Sequence, residues 1–355
     1  MNRSCGQLPA DPPFWRLLPV LSTTPLASET TTQASLPPPG TPFHRMGRTT
    51  RWWRPVVGTI AVLTGTGIVI TAPTLIVEAT RPQLLDAPLA ALILSLAEIC
   101  LALPLVLAIT RWIGARPAGT LASVAGRLRW RWLGLCLLIA VPATLVIVIG
   151  SLVLTIATHS AAPSAASTPV ISVTAGTLIA LAVCLPVVVA LTVVQSAAEE
   201  YVTRGWLLQA IGGFSRSPWP AITGQAGVFA VLHGLDGTVW GYADLTLYAI
   251  IVGWLAVSTG GLEAGIALHV AWNTTLAIPT CIVLALTDVD LDTQANVSGA
   301  PWQTLVVHLA GVTGYVLTVT LIARRRGRQA SRAGTGPNRH RRVDVTVPDP
   351  TRAQR

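Results

Sequence analysis

Val188-Val189-Ala190-Leu191-Thr192-Val193-Val194-Gln195-Ser196-Ala197-Ala198 runs directly into Glu199-Glu200-Tyr201-Val202-Thr203-Arg204. The first part closes an apolar run over about 172–198, long enough to cross a bilayer, which takes about 20 residues of helix. Apolar residues resume at Gly205-Trp206-Leu207-Leu208-Gln209-Ala210-Ile211, and the turn signal Gly212-Gly213 comes only afterwards. The helix is therefore expected to continue to about Ile211 and to carry its charges below the membrane surface. An ionisable group at mid-bilayer costs at least about 2.5–3.5 kcal/mol, so each one asks for a functional reason.

The rest of the chain has the same character. It has 355 residues, 52% hydrophobic and 11% charged, with a mean hydropathy of +0.61. Soluble domains carry about 25% charged residues, so this composition excludes a disordered protein, a nucleic-acid-binding domain and an ordinary cytosolic enzyme. Apolar spans are expected at roughly 56–77, 87–110, 132–156, 172–198, 219–235, 239–257, 262–286 and 303–323. The fold class is an all-α, polytopic transmembrane bundle of about eight spans.

Charge placement orients it. All 24 basic residues are arginine: six between Arg3 and Arg54, five between Arg111 and Arg131, ten from Arg324 onward, with Arg81, Arg204 and Arg216 elsewhere. Eight spans put the three clusters on one face. The loop 158–169 and the acidic stretch Asp288-Val289-Asp290-Leu291-Asp292, both free of arginine, fall on the other. By the positive-inside rule both termini are cytoplasmic, in a multi-pass protein of the plasma membrane. Trp52, Trp53, Trp112, Trp130, Trp132 and Trp302 stand at span ends, as in an aromatic belt. Residues 1–54 read as a flexible cytoplasmic tail, 55–323 as the membrane domain and 324–355 as a basic disordered tail. The five cysteines lie singly, with no metal or redox spacing, and read as small core residues.

Three polar motifs interrupt the later spans. Glu200 and Arg204 are four residues apart and can pair on one helix face, while Glu199 points away and stays free. The fifth span holds Phe229-Ala230-Val231-Leu232-His233, and the seventh holds His269-Val270-Ala271-Trp272-Asn273. A lone histidine in an apolar helix is more often a packing residue than a catalyst. Depth joins these groups. Counting from the turns at ~1.5 Å per residue, Glu199 lies roughly 18 Å in, His233 roughly 22 Å, His269 roughly 12 Å and Asn273 roughly 18 Å. Lipid satisfies none of them, so they are expected to face one polar cavity. There Glu199 and His233 can activate a water, and His269 and Asn273 can stabilise the oxyanion of amide hydrolysis.

Glu199-Glu200-x-x-x-Arg204, Phe229-x-x-x-His233 and His269-x-x-x-Asn273, in that order on successive spans, resemble the three motifs of the CPBP intramembrane proteases. That family includes the CAAX prenyl endopeptidases and the bacteriocin-processing and self-immunity proteins. The resemblance covers roughly residues 170–290. It implies an intramembrane endopeptidase acting on a membrane-associated or lipidated peptide or protein. Glu199 and His233 would activate water, His269 and Asn273 would form the oxyanion hole, Glu200 with Arg204 would hold the site, and Phe229 would shape it. The family has been classed among metalloproteases, and a zinc ion would take Glu199, His233 and His269. The chain has no His-Glu-x-x-His pair, and Asn273 is a better oxyanion donor than zinc ligand, so a metal-independent glutamate mechanism is expected.

Two other functions fit the same residues: a non-catalytic scaffold or self-immunity member of the family, or a proton-coupled transporter using Glu98, Glu199, Glu200 and Asp244. The second calls for inverted repeats, and the two halves show no internal similarity. Glu98 and Asp244 stand isolated in their spans, and His308 has no partner at catalytic spacing. Asn296-Val297-Ser298 fits a glycosylation acceptor, usable only in a secretory pathway.

Overall fold

Helices begin wherever the apolar runs were expected. A computed structural model describes residues 36–159, 171–234, 238–287 and 302–334. Ten α-helices follow one another: α1 (Trp53–Thr80), α2 (Pro88–Cys100), α3 (Ala102–Trp112), α4 (Trp130–His159), α5 (Ala175–Glu200), α6 (Leu208–Gly212), α7 (Trp219–Leu232), α8 (Val239–Thr259), α9 (Glu263–Leu286) and α10 (Trp302–Gly334). A π-helical segment, Tyr201–Leu207, joins α5 to α6. No strand occurs among the described residues, only two isolated bridges. The loop 160–170, the stretch Asp288–Asp292, the Asn296 acceptor and residues 1–35 and 335–355 lie outside the described residues.

Seven helical stretches have the length and apolarity to cross a membrane. Their outer surfaces are apolar: Leu138 is 72% exposed, Val146 66% and Ile179 66%. Water would not tolerate so continuous an apolar surface, whereas lipid matches it. The expected fifth span is the exception. α7 has 14 residues, or about 21 Å, short of the ~30 Å hydrocarbon core. The reason is local. The His233 ring nitrogen Nδ1 donates to the Phe229 carbonyl at 2.8 Å, and Gly234 turns left-handed at φ 92°. Those two residues end the helix inside the apolar run.

Several arginines of the described residues sit at helix ends and in loops, Arg81 and Arg204 lying apart from them. Arg116 donates to Gln209, the His44 ring meets the Arg216 carbonyl at 3.3 Å, and Arg326 lies over the Trp132 ring. Trp52, Trp112 and Trp130 are exposed, but Trp132 is buried at 8% and belongs to the core rather than the belt. Phe43 and Met46 are buried in a cluster with Leu208, Ile222 and Leu262, so the chain is anchored well before residue 54. α10 runs on to Gly334.

Arg129 locks the turn between α8 and α9. Its Nη2 lies 2.6 Å from Glu263 Oε2, and its guanidinium also reaches the Thr259 carbonyl. Gly261 leaves room for this pair, since a Cβ there would sit 2.4 Å from Glu263 Oε2 and 2.8 Å from Ser123 Cβ. This lock sets where α9 begins, and α9 carries His269 and Asn273. Arg129→Ala leaves the fully buried Glu263 without a countercharge, and the expected loss is about 3 kcal/mol. Thermal unfolding of the detergent-solubilised protein measures it, and an unchanged Tm would refute the role of this pair.

α9 packs against α4, α5 and α8, and α5 lies between α2 and α9. Gln225 ties α7 to α8 by donating to the Ala249 carbonyl at 2.8 Å. Together these contacts bring α5, α7, α8 and α9 around one point.

Candidate functional site

The helix that carries the carboxylates does continue past them, to Gly212, but as a wider coil. Over Tyr201–Leu207 it is π-helical, a form found mostly as short insertions and often at functional sites. Thr203 Oγ1 donates to the Glu199 carbonyl at 2.6 Å inside this segment. Glu200 and Arg204 still meet, at 3.1 Å, and both are fully buried. The Arg204 guanidinium sits 4.3 Å over the Phe229 ring on α7, a cation–π contact that strengthens out of water.

His269 enters between the two carboxylates. Its Nδ1 lies 3.0 Å from Glu200 Oε1 and its Nε2 lies 3.5 Å from Glu199 Oε2. A carboxylate only accepts, so Nδ1 carries a proton. Donation from Nε2 then requires the imidazolium. In that state Glu199, Glu200, Arg204 and His269 sum to zero charge, a balance that suits a buried cluster.

Asn273, one turn further along α9, joins through two residues outside the three motifs. Its Nδ2 donates to Gln195 Oε1 at 3.1 Å and to Ser196 Oγ at 3.2 Å. Gln195 Nε2 in turn donates to Glu199 Oε1. Gln195 stands four residues before Glu199, on the same helix face. Its polarity within an apolar run was the available signal. With His269 Nε2 standing off at 3.5 Å, Glu199 Oε2 accepts no hydrogen bond among the described residues, and neither does Glu200 Oε2.

His233 stands at the end of α7 and reaches the others through Phe229. The Phe229 and His233 rings are 4.4 Å apart, and Phe229 and His269 are 6.4 Å apart. With Nδ1 engaged by the Phe229 carbonyl, Nε2 of this exposed histidine has no hydrogen-bond partner among the described residues. Phe229 is thus the hub around which Arg204, His233 and His269 are arranged. The zinc set fits less well. Glu199, His233 and His269 do not form a three-ligand cluster, and no such group of His, Cys, Asp or Glu occurs among the described residues.

Space around Glu200 is tight. A Cβ on Gly265 of α9 would lie 2.9 Å from Glu200 Oε2 and 2.7 Å from Val252 Cγ1. Gly265→Ala is expected to cost about 1–3 kcal/mol through overpacking and to displace the carboxylate from His269. Denaturant or thermal titration would detect the loss, and wild-type stability would show that the helices can part freely.

Two acidic residues that stood isolated in the sequence have partners. Asp244 on α8 meets His308 on α10, with Nδ1 2.7 Å from each carboxylate oxygen. Glu98 accepts from Thr74 Oγ1 at 2.7 Å, tying α2 to α1. Asp244 and His308 lie on helices far apart in sequence and Glu98 and Thr74 on successive ones, and spacing along a single helix reveals neither contact.

A protein from Bacillus subtilis (strain 168), "Uncharacterized protein YyaK", is 31% identical over 85 residues, covering 22% of this chain and 28% of that protein. This chain therefore spans less than a third of that relative. No solved structure matches. The family model described as "Type II CAAX prenyl endopeptidase Rce1-like" matches residues 180–275. That interval holds every motif residue from Glu199 to Asn273, and over it the chain carries the Rce1-like type II CAAX prenyl endopeptidase pattern, consistent with the CPBP family.

Proposed function

We propose that this multi-pass membrane protein is an intramembrane endopeptidase that hydrolyses a peptide bond of a membrane-associated or lipidated substrate. The observation that carries this reading is the placement of His269 between Glu199 and Glu200, with Asn273 tied to Glu199 through Gln195. Glu199 is the general base: Oε1 is held by Gln195, and Oε2 is the oxygen without a donor. A water between Glu199 Oε2 and the open Nε2 of His233 loses a proton to Glu199 as its oxygen attacks the carbonyl carbon. The oxyanion accepts from His269 Nε2–H and from Asn273 Nδ2, which gives up its bond to Gln195 or Ser196 for the purpose. Collapse breaks the C–N bond, and the proton on Glu199 passes to the departing amine. Glu200 and Arg204 hold His269 and Phe229 in place throughout.

No step of this scheme calls for a metal. The arginine-rich loops face the cytoplasm of a plasma-membrane protein, following their charge bias. Purification of wild type and Glu199→Gln from the same membranes tests the reading. The variant should retain an uncleaved polypeptide, identified by mass spectrometry, of which wild type yields only fragments. An identical set of co-purifying proteins from both would contradict it. Full complementation of a deletion by Glu199→Gln and by His233→Ala would instead favour a scaffold or self-immunity role.

A further inference from the structure

Tyr248 lies on α8 beside the site, and neither the motifs nor the family match gives it a role. It is 6% exposed, yet its hydroxyl is buried and has no hydrogen-bond partner among the described residues. A buried hydroxyl without a partner carries its full desolvation cost, and phenylalanine would fill the same space without it. Packing alone therefore does not account for the oxygen.

The ring is firmly placed. It meets His269 edge-on, with centroids 6.0 Å apart at 77°. On another side it stacks on His308 at 5.9 Å and 21°. His308 is fixed by Asp244 and stacked at 4.7 Å and 15° on Trp272, the residue before Asn273. Around His269, Glu199 Oε2 and Glu200 Oε2 lack donors among the described residues and Arg204 Nε and Nη2 lack acceptors, so unmet hydrogen-bonding capacity is concentrated here.

We propose that Tyr248 is a further catalytic donor. Its hydroxyl donates to a carbonyl oxygen of the substrate peptide lying against His269, and the phenol keeps its proton throughout. This rests on the endopeptidase reading above. Before substrate enters, the hydroxyl is unmatched, and the incoming carbonyl supplies its acceptor.

Tyr248→Phe removes the oxygen and keeps the stacked ring. The test compares wild type, Tyr248→Phe and Glu199→Gln in proteoliposomes, using a fluorescence-quenched farnesylated peptide ending in a CAAX sequence. Tyr248→Phe is expected to lower kcat about 10- to 100-fold, less than loss of a sole oxyanion donor, with KM changed less than about threefold. Its Tm should equal or exceed that of wild type, because an unpartnered hydroxyl has been removed. Wild-type kcat in Tyr248→Phe, alongside loss of activity in Glu199→Gln, would overturn the proposal and leave the endopeptidase reading intact. A Tm several degrees lower would also overturn it, since the hydroxyl would then be making a structural bond. Failure of wild type to cleave this peptide would count against the substrate reading, and the Tm comparison would still decide the state of the hydroxyl.

Discussion

Glu199→Gln is expected to slow peptide cleavage about 10³-fold, within the range for loss of a positioned general base. The amide keeps the shape of the side chain and can still accept from Gln195 through its oxygen. It replaces Oε2, the oxygen facing His269 Nε2 at 3.5 Å, with a group that takes up no proton. The Glu199 side chain is partly exposed, at 17%, so stability should change little. Single-turnover rates and Tm, measured on the same preparation, separate the two effects. A rate within tenfold of wild type would remove Glu199 from the role of base.

Arg204→Met is expected to damage the fold itself. Arg204 and Glu200 are each fully buried, and removing the guanidinium leaves a carboxylate in the bundle interior facing only His269. Breaking a buried pair from one side costs about 3–5 kcal/mol, and the stacking on Phe229 is lost as well. The double variant Glu200→Gln/Arg204→Met removes both charges and should regain most of that stability, without regaining activity. Thermal unfolding in detergent checks both expectations. Should the double variant be as unstable as the single, the loss arises from packing of the long side chain and not from the stranded charge.

The helices were legible because apolar runs of spanning length, almost free of charge, suit a lipid environment and little else. The candidate site was legible where four-residue spacing put two polar groups on one face, as for Glu200 with Arg204 and His269 with Asn273. What escaped the sequence depended on contacts between distant segments. Asp244 and His308 stand 64 residues apart and pair only because α8 and α10 touch. The π-helical turn leaves no mark in a pattern of apolar residues. α7 stops at Leu232 although the apolar run invited a longer span, because His233 folds back onto the Phe229 carbonyl. Phe43 and Met46 lie in a proline-rich stretch that reads as a tail, and their burial against Leu208 and Ile222 comes from tertiary packing alone.

The central claim is that Glu199 and His233 act on the same water. A double-mutant comparison of cleavage rates tests it most directly, because groups that serve one step are strongly non-additive. Once a substrate has been captured, Glu199→Gln, His233→Ala and the combined variant are to be measured in proteoliposomes. The combined variant should be no more than about threefold slower than the worse single one. Losses that multiply in full would mean that the two residues serve separate steps, and would contradict the shared-water mechanism.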